Sequence, residues 1–397
     1  MTDERTINLL DGSLYVDPAE TYRWLRDERP CYWDAVNGIW GISRYDDIVA
    51  VEKSPAMYSS ASGSRPLIQS GDSMINKDDP LHQDQRRIVV REFTPRAVKQ
   101  LDPYIRGIVT EIIDKVASAG ECEVIQDIAS PLPAMIICDK LGFDRSLWPK
   151  CREWSEVTMY EAGQYPLDGT VRPPSEGSMT AILEFAEACM ELIAARRAEP
   201  RDDLISAWVH AEVDGKKLTD DEIVHEALLV LDGGAETTRA VIGTTCLTLI
   251  RHPEQRQILI DDPSIIGETG VEEFIRWVSP VLNMRRTVTT DHELHGQQLH
   301  AGDELLLMYP SANRDERVFT DPYRFDVRRE HNHHVAFGFG THFCLGANLA
   351  RQEIRIMFEE LLRRIPDMRL APGADPKVVP AVFAQAHDAI PVEFTPE

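Results

Sequence analysis

Apolar residues recur at helical spacing over much of the chain, and the longest such stretch runs from about residue 219 to residue 251. Thr219 and Glu222 have the spacing of a capping box at its start. Gly233 and Gly234 lie in its middle, where two glycines cost an interior helix about 2 kcal/mol relative to alanine. Such a cost indicates close packing, a kink or a ligand beside the glycines.

Shorter periodic segments surround this long helix, and strands are few. Mixed order with helices dominant predicts a mainly α, α+β fold rather than a doubly wound sheet. No segment has the composition of a linker, so we expect residues 1–397 to form a single domain. Further helices are predicted at 15–30, 44–54, 81–118 (with a break at Thr94-Pro95), 268–278 and 345–365, strands near 31–42, within 284–309 and after 370, and loops at 60–80, 163–178 and 310–340.

The chain is strongly acidic, with a formal net charge of −24. This charge argues against nucleic acid as a partner and favours repulsion from anionic membranes. The N-terminal segment is polar and lacks the apolar region of a secretory signal, and no run approaches the roughly 18 apolar residues of a membrane span. The sequence therefore predicts a cytoplasmic protein without a membrane span.

Seven cysteines are scattered along the chain without a CxxC pair, and one of them lies in an unusual loop. Cys344 belongs to the glycine-rich stretch FGFGTHFCLG at 337–346, which runs into a helix. Glycines let the backbone curl around a sulfur, and the positive amino end of a helix favours a thiolate. One alternative is a structural cysteine in a turn. Another is a zinc site, although the usual paired spacing is lacking, with the nearby His331, His333, His334 and His342.

The glycine pair of the long helix begins a second motif, GGAETT at 233–238. Glycines permit a local widening of the helix, and Thr237 offers a hydroxyl group that can donate a hydrogen bond. Glu236 can relay protons from solvent, as general acid catalysis requires. The structural alternative is that Thr237 bonds back to a carbonyl group of its own helix.

The stretch at 337–346 strongly resembles the haem-binding signature FGxGxHxCxG of the cytochrome P-450 family, and GGAETT resembles that family's oxygen-activating motif. The resemblance extends from about residue 15 to residue 395. It implies the triangular, helix-rich fold of the family, with a small β-rich lobe and haem b held between two helices. It also implies that Cys344 is the iron ligand. The other implied haem contacts are Gly233, Phe337 and Gly346.

A set of cations matches the family's partners of the haem propionates. His82 and Arg86 share one helix face, and Arg286 lies in the strand that follows the helix at 268–278. His342 precedes Cys344 by two positions. The guanidinium group suits carboxylates because it binds them in a bidentate manner. Arg285, directly beside Arg286, leaves an ambiguity about which arginine takes this role.

Glu273 and Arg276 match the family's ExxR pair, to which the resemblance assigns a structural role. Their spacing places them on one helix face. The pair is expected to tie the helix at 268–278 to the irregular segment before Cys344. Arg328 is the expected third partner.

By the same resemblance, the substrate cavity lies on the Thr237 side of the haem. The residues expected to line it are apolar, which predicts a lipophilic substrate. The combined motifs look most like those of actinobacterial sterol and branched-lipid hydroxylases, and a terpenoid or polyketide substrate stays open. The expected lining residues are Ile68, Met74, Ile75, Leu229, Leu231, Val281, Leu282, Met284 and Phe383.

The predicted activity is a hydroxylation that inserts one oxygen atom from O2 into a lipophilic substrate. The chain has no flavin or nicotinamide region, so electrons are expected from a ferredoxin and its ferredoxin reductase. The alternatives are a peroxide-driven haem enzyme and a non-catalytic haem-binding protein, and the Glu236–Thr237 pair argues against both. The expected basic dock for the ferredoxin comprises Arg86, Arg87, Arg91, Arg96 and Lys99.

Overall fold

The fold was analysed in a computed structural model, which describes residues 5–66, 71–161, 175–213 and 215–397. The predicted cavity residue Ile68 and most of the predicted loop at 163–178 lie outside the described residues. At the end of that loop the prediction is wrong, because Ser175 caps a helix that begins at Glu176.

Helices form most of the described chain, and the helices predicted from the sequence are confirmed. The predicted break at Thr94-Pro95 is also present, because Thr94 caps a new helix that begins at Pro95. The helices are α1 (Ala19–Glu28), α2 (Tyr45–Glu52), α3 (Leu81–Val89), α4 (Pro95–Gln100), α5 (Asp102–Ala117), α6 (Pro131–Leu141), α7 (Trp148–Glu156), α8 (Glu176–Ala198), α9 (Leu204–His210), α10 (Asp220–Arg251), α11 (Pro253–Asp261), α12 (Val271–Val278), α13 (Tyr309–Ala312) and α14 (Ala347–Arg364).

The long helix α10 lies at the centre of the largest apolar core. Thr219 and Glu222 form the predicted capping box at its start. The helix packs against α6, α12 and α14, among others. A Cβ atom on Gly234 would collide with the side chain of Ile137 in α6, so close packing accounts for this glycine. The helix stays α-helical across both glycines, so the predicted widening is absent from this described segment.

The strands form a small β part whose largest sheet has the order β1-β2-β10-β7-β3. In this sheet β2 and β10 are parallel, whereas the other neighbours are antiparallel. A second sheet has the order β11-β12-β4, and two hairpins pair β5 with β6 and β8 with β9. The strands are β1 (Cys31–Asp34), β2 (Ile39–Ile42), β3 (Tyr58–Ser59), β4 (Glu121–Glu123), β5 (Glu212–Val213), β6 (Lys216–Lys217), β7 (Met284–Val288), β8 (His292–Leu294), β9 (Gln297–Leu299), β10 (Glu304–Leu307), β11 (Arg369–Leu370) and β12 (Pro391–Glu393).

The mainly α fold with a small β part agrees with the predicted fold class. Apolar side chains of α5, α6 and α14 pack around α10, and the larger sheet has a smaller apolar cluster of its own. Across the described ranges of the chain, no helix combines the length and the apolar character needed to cross a membrane.

Candidate haem-thiolate site

The loop at 337–346 is held in a tight curve by two glycines. Gly338 and Gly340 have φ angles of 68° and 69°, a left-handed conformation that favours glycine. A Cβ atom on Gly340 would also collide with the carbonyl oxygen of Glu52. The backbone N–H of Cys344 donates to the carbonyl oxygen of Phe337 at 2.9 Å, and this bond closes the curve.

Cys344 lies just before the amino end of α14, where backbone N–H groups lack partners within the helix. Burial raises the pKa of the Cys344 thiol, whereas hydrogen bonds from the backbone of Gly346 and Ala347 act in the opposite direction. The positive charges of Arg86 and Arg351 also favour the thiolate. The local structure therefore supplies both the donors and the charge that a sulfur anion needs.

The curve of the loop is anchored to α12 through Glu272. Arg351 of α14 donates two hydrogen bonds to this carboxylate, at 2.6 and 2.9 Å, and its guanidinium carbon lies 4.6 Å from the centre of the Phe337 ring. Burial alone would raise the pKa of Glu272, but hydrogen bonds from His334 and Arg351 lower it to about 2. Glu272 thus stays ionised and holds the Phe337 end of the loop in place.

A cavity of about 1410 Å³, including its open mouth, lies beside Cys344. Helix α10 contributes Leu229, Gly233 and Thr237 to its wall. The other predicted lining residues that reach this wall are Met74, Ile75, Val281 and Met284. The cavity is therefore largely apolar, with the sulfur and the Thr237 hydroxyl group exposed in the same space.

Three residues predicted to line the cavity lie elsewhere. Leu282 packs in a core cluster with Leu306 and Met308, because alternation along the extended chain turns it away from the side that Val281 faces. Phe383 packs against Met159, and the guanidinium carbon of Arg65 lies 4.3 Å from its ring centre. The third residue, Leu231, is fully buried in the largest core cluster.

The four predicted cations His82, Arg86, Arg286 and His342 all line the cavity. The rings of His82 and His342 lie 4.0 Å apart, and His82 Nδ1 is 3.1 Å from a carboxylate oxygen of Asp79. His342 Nε2 is buried and has no hydrogen-bond partner among the residues that the structure describes. Burial and the positive charge of Arg286 lower the pKa of His342 to about 3. The cavity wall thus holds a buried ring nitrogen whose hydrogen-bonding capacity is unused within the described residues.

Strand β7 resolves the ambiguity between Arg285 and Arg286, because successive side chains of a strand point to opposite faces. Arg286 faces the cavity, and its Nη2 lies 3.2 Å from Oε1 of the buried Glu52. Arg285 faces the other side and binds Glu304 at 3.0 Å and the Gly63 carbonyl oxygen at 3.0 Å. Tyr309 donates to Glu52 at 2.7 Å, so Arg286 belongs to a buried network next to the cavity.

Thr237 and Glu236 point in different directions. The Thr237 hydroxyl group lines the cavity and donates to the Gly233 carbonyl oxygen at 2.8 Å, which is the bond of the structural alternative. Glu236 is 1% exposed and forms an ion pair with Arg239, and neither of its oxygens has a hydrogen bond of good geometry within the described part of the chain. Glu236 is therefore a buried acid whose hydrogen-bonding capacity is largely unused.

The surroundings of Glu236 include residues that the motif did not identify. Burial raises the pKa of Glu236 to about 7. The positive charge of Arg239 lowers this pKa, whereas the negative charges of Glu156 and Asp232 raise it further. Tyr160 lies beside this carboxyl group and lowers its pKa, as Arg239 does. Arg239 could have been found from its i, i+3 spacing to Glu236, whereas Glu156 and Tyr160 come from another part of the chain.

The ExxR pair forms as predicted, but its third partner is different. Glu273 and Arg276 are completely buried and share hydrogen bonds of 2.7 and 2.8 Å. Arg329, and not the predicted Arg328, binds Glu273, with Nε 3.1 Å from Oε2. The Arg328 side chain is exposed, because alternation around the buried Val327 directs it outward.

The zinc alternative finds no support in the arrangement of side chains. Within ranges 5–66, 71–161, 175–213 and 215–397, no cluster of three or more His, Cys, Asp or Glu side chains could hold a metal ion. His334 binds Glu272, and His342 stacks on His82 instead of converging with the other histidines.

The chain is similar in sequence to known proteins. A cytochrome P-450 family profile matches residues 268–378. A steroid C26-monooxygenase from Mycobacterium tuberculosis is 40% identical over 100% of this chain and 99% of its own length. A methyl-branched lipid omega-hydroxylase from Mycobacterium bovis is 37% identical over 87% of this chain and 84% of its own length.

Solved structures agree with these sequence matches. A cytochrome P-450 from Mycobacterium marinum in complex with pseudoionone has a TM-score of 0.90 and 32% identity, and the match covers 99% of this chain and 100% of that chain. One from Bacillus megaterium in complex with testosterone has a TM-score of 0.88 and 32% identity, covering 96% and 99%.

The fold and the site define a haem-thiolate oxygenase. The chain belongs to the cytochrome P-450 family, and it is a monooxygenase. The residues at the cavity fit the haem that the family implies. Nε2 of His342 is a buried polar atom without a partner beside the cavity, and Cβ atoms added at Gly233 and Gly346 would meet open space as far as the described atoms extend.

Proposed function

We propose that Cys344 is the proximal ligand of a haem b and that the enzyme hydroxylates a steroid, a branched lipid or a terpenoid-like substrate with O2. One observation carries this proposal: the sulfur of Cys344, in a donor-rich loop, shares one apolar cavity with Thr237 and four propionate-binding candidates. In that arrangement His82, Arg86, Arg286 and His342 bind the propionates. Gly233, Phe337 and Gly346 leave room for the flat macrocycle.

Thr237 and Glu236 are assigned to proton supply. When bound, the haem supplies a redox-active iron at which O2 is activated, so that one oxygen atom enters the substrate and the other leaves as water. Glu236 can hold a proton on its carboxyl group near neutral pH, since its pKa is raised to about 7. Because the two side chains point in different directions, Glu236 delivers that proton after its side chain turns towards the cavity. The Thr237 hydroxyl group accepts it and gives up its own proton to the cavity, once its bond to the Gly233 carbonyl oxygen is released.

The lining of the cavity supports an apolar substrate. Met74, Ile75, Leu229, Val281 and Met284 offer mainly aliphatic surface, and burial of apolar area supplies the main driving force for binding. Relatives whose names include steroid and methyl-branched lipid hydroxylases support the same classes here. Spectral titration with a steroid and lipid library tests this choice, and a change to the high-spin state only with small polar compounds would contradict it.

A ferredoxin, reduced by a ferredoxin reductase, is the proposed electron donor. Arg87 and Arg91 have side chains 69% and 75% exposed, and Arg96 and Lys99 are exposed nearby on α4. These residues form a basic patch on a chain of net charge −24. The patch lies next to α14, the helix that follows Cys344, because Asn348 of α14 donates to the Phe93 carbonyl oxygen at 2.9 Å. The patch suits an acidic partner that approaches on the Cys344 side.

The cytoplasm is the proposed location, since the described cysteines are free thiols and ferredoxin systems operate in reducing compartments. We also propose that residues 1–397 act as one domain, as alignment with single P-450 chains over 99% of the sequence supports.

The reduced carbon monoxide complex tests the proposed ligand directly. Wild-type protein is expected to show the red-shifted band of thiolate-bound haem, and Cys344→Ala is expected to lose it. Cys122→Ala, which removes a thiol of the outer sheet, serves as the matched control and should keep the band. A thiolate band in Cys344→Ala would contradict the assignment.

Redox-partner experiments test the rest of the reaction. Product formed with ferredoxin, reductase and O2 supports the monooxygenase, whereas product with peroxide alone points to the peroxide-driven alternative. Haem binding without product in either assay points to a non-catalytic role. Charge reversal at Arg87 and Arg91 is expected to slow reduction by the ferredoxin without changing substrate affinity, and Arg201→Glu, at an exposed arginine outside the patch, is the control.

A further inference from the structure

The short segment from Gly71 to Lys77 supplies two residues of the cavity wall, Met74 and Ile75. It contains a single 3₁₀ turn at Met74–Asn76, whose internal hydrogen bonds are donated by Asn76 and Lys77, whereas the backbone N–H of Met74 bonds outside the segment. Its position therefore depends on contacts with other parts of the molecule. We refer to residues 71–77 as the wall segment.

Glu226, in the first third of α10, makes a direct contact with the backbone of this segment. Its Oε1 accepts the backbone N–H of Met74 at 2.7 Å, and the Glu226 side chain is completely buried. Glu226 lies two helical turns before Gly233, which puts both residues on the same side of α10. The hydrogen bond thereby fixes the position of Met74 along the axis of α10 relative to Gly233 and Thr237.

Two further side chains complete the contact. With the amide of Gln85 in the orientation that satisfies its neighbours, its nitrogen donates to Glu226 Oε1 at 3.1 Å and its oxygen accepts from Lys77 Nζ at 2.8 Å. Lys77 also pairs with Asp72 at 3.0 Å and lies 3.6 Å from Glu222. Both ends of the turn are thus tied to α3 and α10.

We propose that Glu226 is a positioning residue that fixes Met74 and Ile75 at the cavity wall and so determines which lipophilic substrates fit. This inference rests on the proposed function, because it treats the cavity as the substrate site. Glu226 itself does not touch the cavity; it acts through the backbone of Met74. Loss of its carboxyl group leaves the Met74 N–H without its acceptor and frees the wall segment to move outward.

The ionisation of Glu226 identifies the best conservative variant. Burial raises its pKa to about 8, helped by Asp72 and Glu222 and opposed by the Met74 N–H and by Lys77. At neutral pH the group is therefore largely uncharged, and glutamine has the same shape and an oxygen that can accept the same bond. Glu226→Gln is expected to keep the wall segment in place, whereas Glu226→Ala is not.

Hydrogen exchange and equilibrium dialysis on the haem-loaded protein test the proposal together. In Glu226→Ala, exchange at the Met74 amide should accelerate by about tenfold or more, the change that corresponds to about 1.4 kcal/mol. Testosterone is rigid and broad, whereas pseudoionone is slender. The affinity for testosterone should therefore rise relative to the affinity for pseudoionone. Glu226→Gln should restore both wild-type values.

Asp72→Asn is the matched control, because Asp72 pairs with Lys77 but has no bond to the Met74 backbone. It should leave the exchange rate and the affinity ratio unchanged. If Glu226→Ala does not fold, Glu226→Asp replaces it, since the shorter side chain cannot reach Met74 from the same helix position. An unchanged affinity ratio in a folded variant with a loosened Met74 amide would overturn the proposal, as would unchanged exchange.

The carbon monoxide band of the wild type tests the proposed haem-thiolate function separately from the proposed role of Glu226. Absence of that band would overturn the proposed haem-thiolate function. Exchange at Met74 and dialysis do not depend on the spin state of iron, so they report on Glu226 in either case.

Discussion

Two buried Glu–Arg pairs in this protein have the same local geometry and different surroundings. Glu273–Arg276 in α12 and Glu236–Arg239 in α10 are both i, i+3 pairs whose side chains are almost inaccessible. Glu273 accepts further hydrogen bonds, from Arg329, Asn332 and the backbone N–H of Asp326. Glu236 has no comparable set of donors among the residues described.

The difference separates a pair in a saturated network from a pair whose acid has properties suited to proton transfer. Arg276 also donates to the carbonyl oxygens of Asn313 and Pro322, so its network joins α12 to the irregular segment before the cysteine loop. Saturated networks of this kind rigidify a fold. An acid with unused hydrogen-bonding capacity and a pKa near neutrality can instead gain and lose a proton during turnover.

Removal of the two arginines should give the largest contrast. Arg276→Met breaks a completely buried pair, and such a change typically costs about 3–5 kcal/mol. Arg239→Met should cost less, because Glu236 can take up a proton when its cation is removed. Urea unfolding of both variants measures the difference, and equal losses would show that the two pairs are not distinct.

Neutralising Glu236 should lower activity rather than stability. Glu236→Gln is expected to lower product formation by roughly 100-fold or more, the range of general acid catalysis, without a loss of stability. Oxygen consumption without product, measured beside product yield, identifies this defect. Product formed at the wild-type rate would remove Glu236 from the proton supply. Thr237→Ala should likewise separate oxygen use from product.

The pH dependence of stability should sharpen the comparison further. The folded pKa of Glu236 is raised to about 7, so its favourable contribution is present below the unfolded pKa of 4.5 and declines as pH rises through 7. Relative to wild type, Glu236→Gln should gain up to about 3 kcal/mol between these values. Unfolding at several pH values measures it, with the surface variant Glu187→Gln as control; a flat difference would contradict the raised pKa.

The smallest expected effect distinguishes two neighbouring arginines. Arg329→Met removes a hydrogen bond to the buried Glu273 and should cost about 1–3 kcal/mol. Arg328→Met alters an exposed side chain and should stay within about 0.5 kcal/mol. Thermal unfolding of the pair checks the order, and a larger effect at Arg328 would restore the sequence-based assignment.

The sequence predicted best where the chemistry is local. The glycine-rich loop, the i, i+4 pair His82–Arg86 and the capping box of α10 depend on neighbours in the chain, and all took the expected form. Contacts between distant segments were beyond its reach. Nothing in GGAETT indicates that Tyr160 lies beside Glu236, and no local pattern links Glu226 to Met74.

The wrong predictions for Arg328 and Leu282 fall in irregular or extended segments, where tertiary contacts decide which way a side chain points. Between residues 326 and 329 the outward or inward direction of each arginine depends on the burial of Val327, which is a tertiary contact. After Pro280, the chain alternates between the cavity and a second core, so Val281 and Leu282 separate although both are apolar. Their hydrophobicity predicted that both residues are buried, but it could not predict which residues surround each of them.

The parallel pairing of β2 with β10 bears on how the chain folds as it is made. The indole N–H of Trp40 donates to Asp303 across a separation of 263 residues. At ribosomal rates of about 5–20 residues per second, β2 waits roughly 13 to 50 seconds for this partner. During that interval its edge is open to pairing with other nascent chains. Yield on expression should therefore respond to chaperone supply and slower translation more than to the strength of the final core.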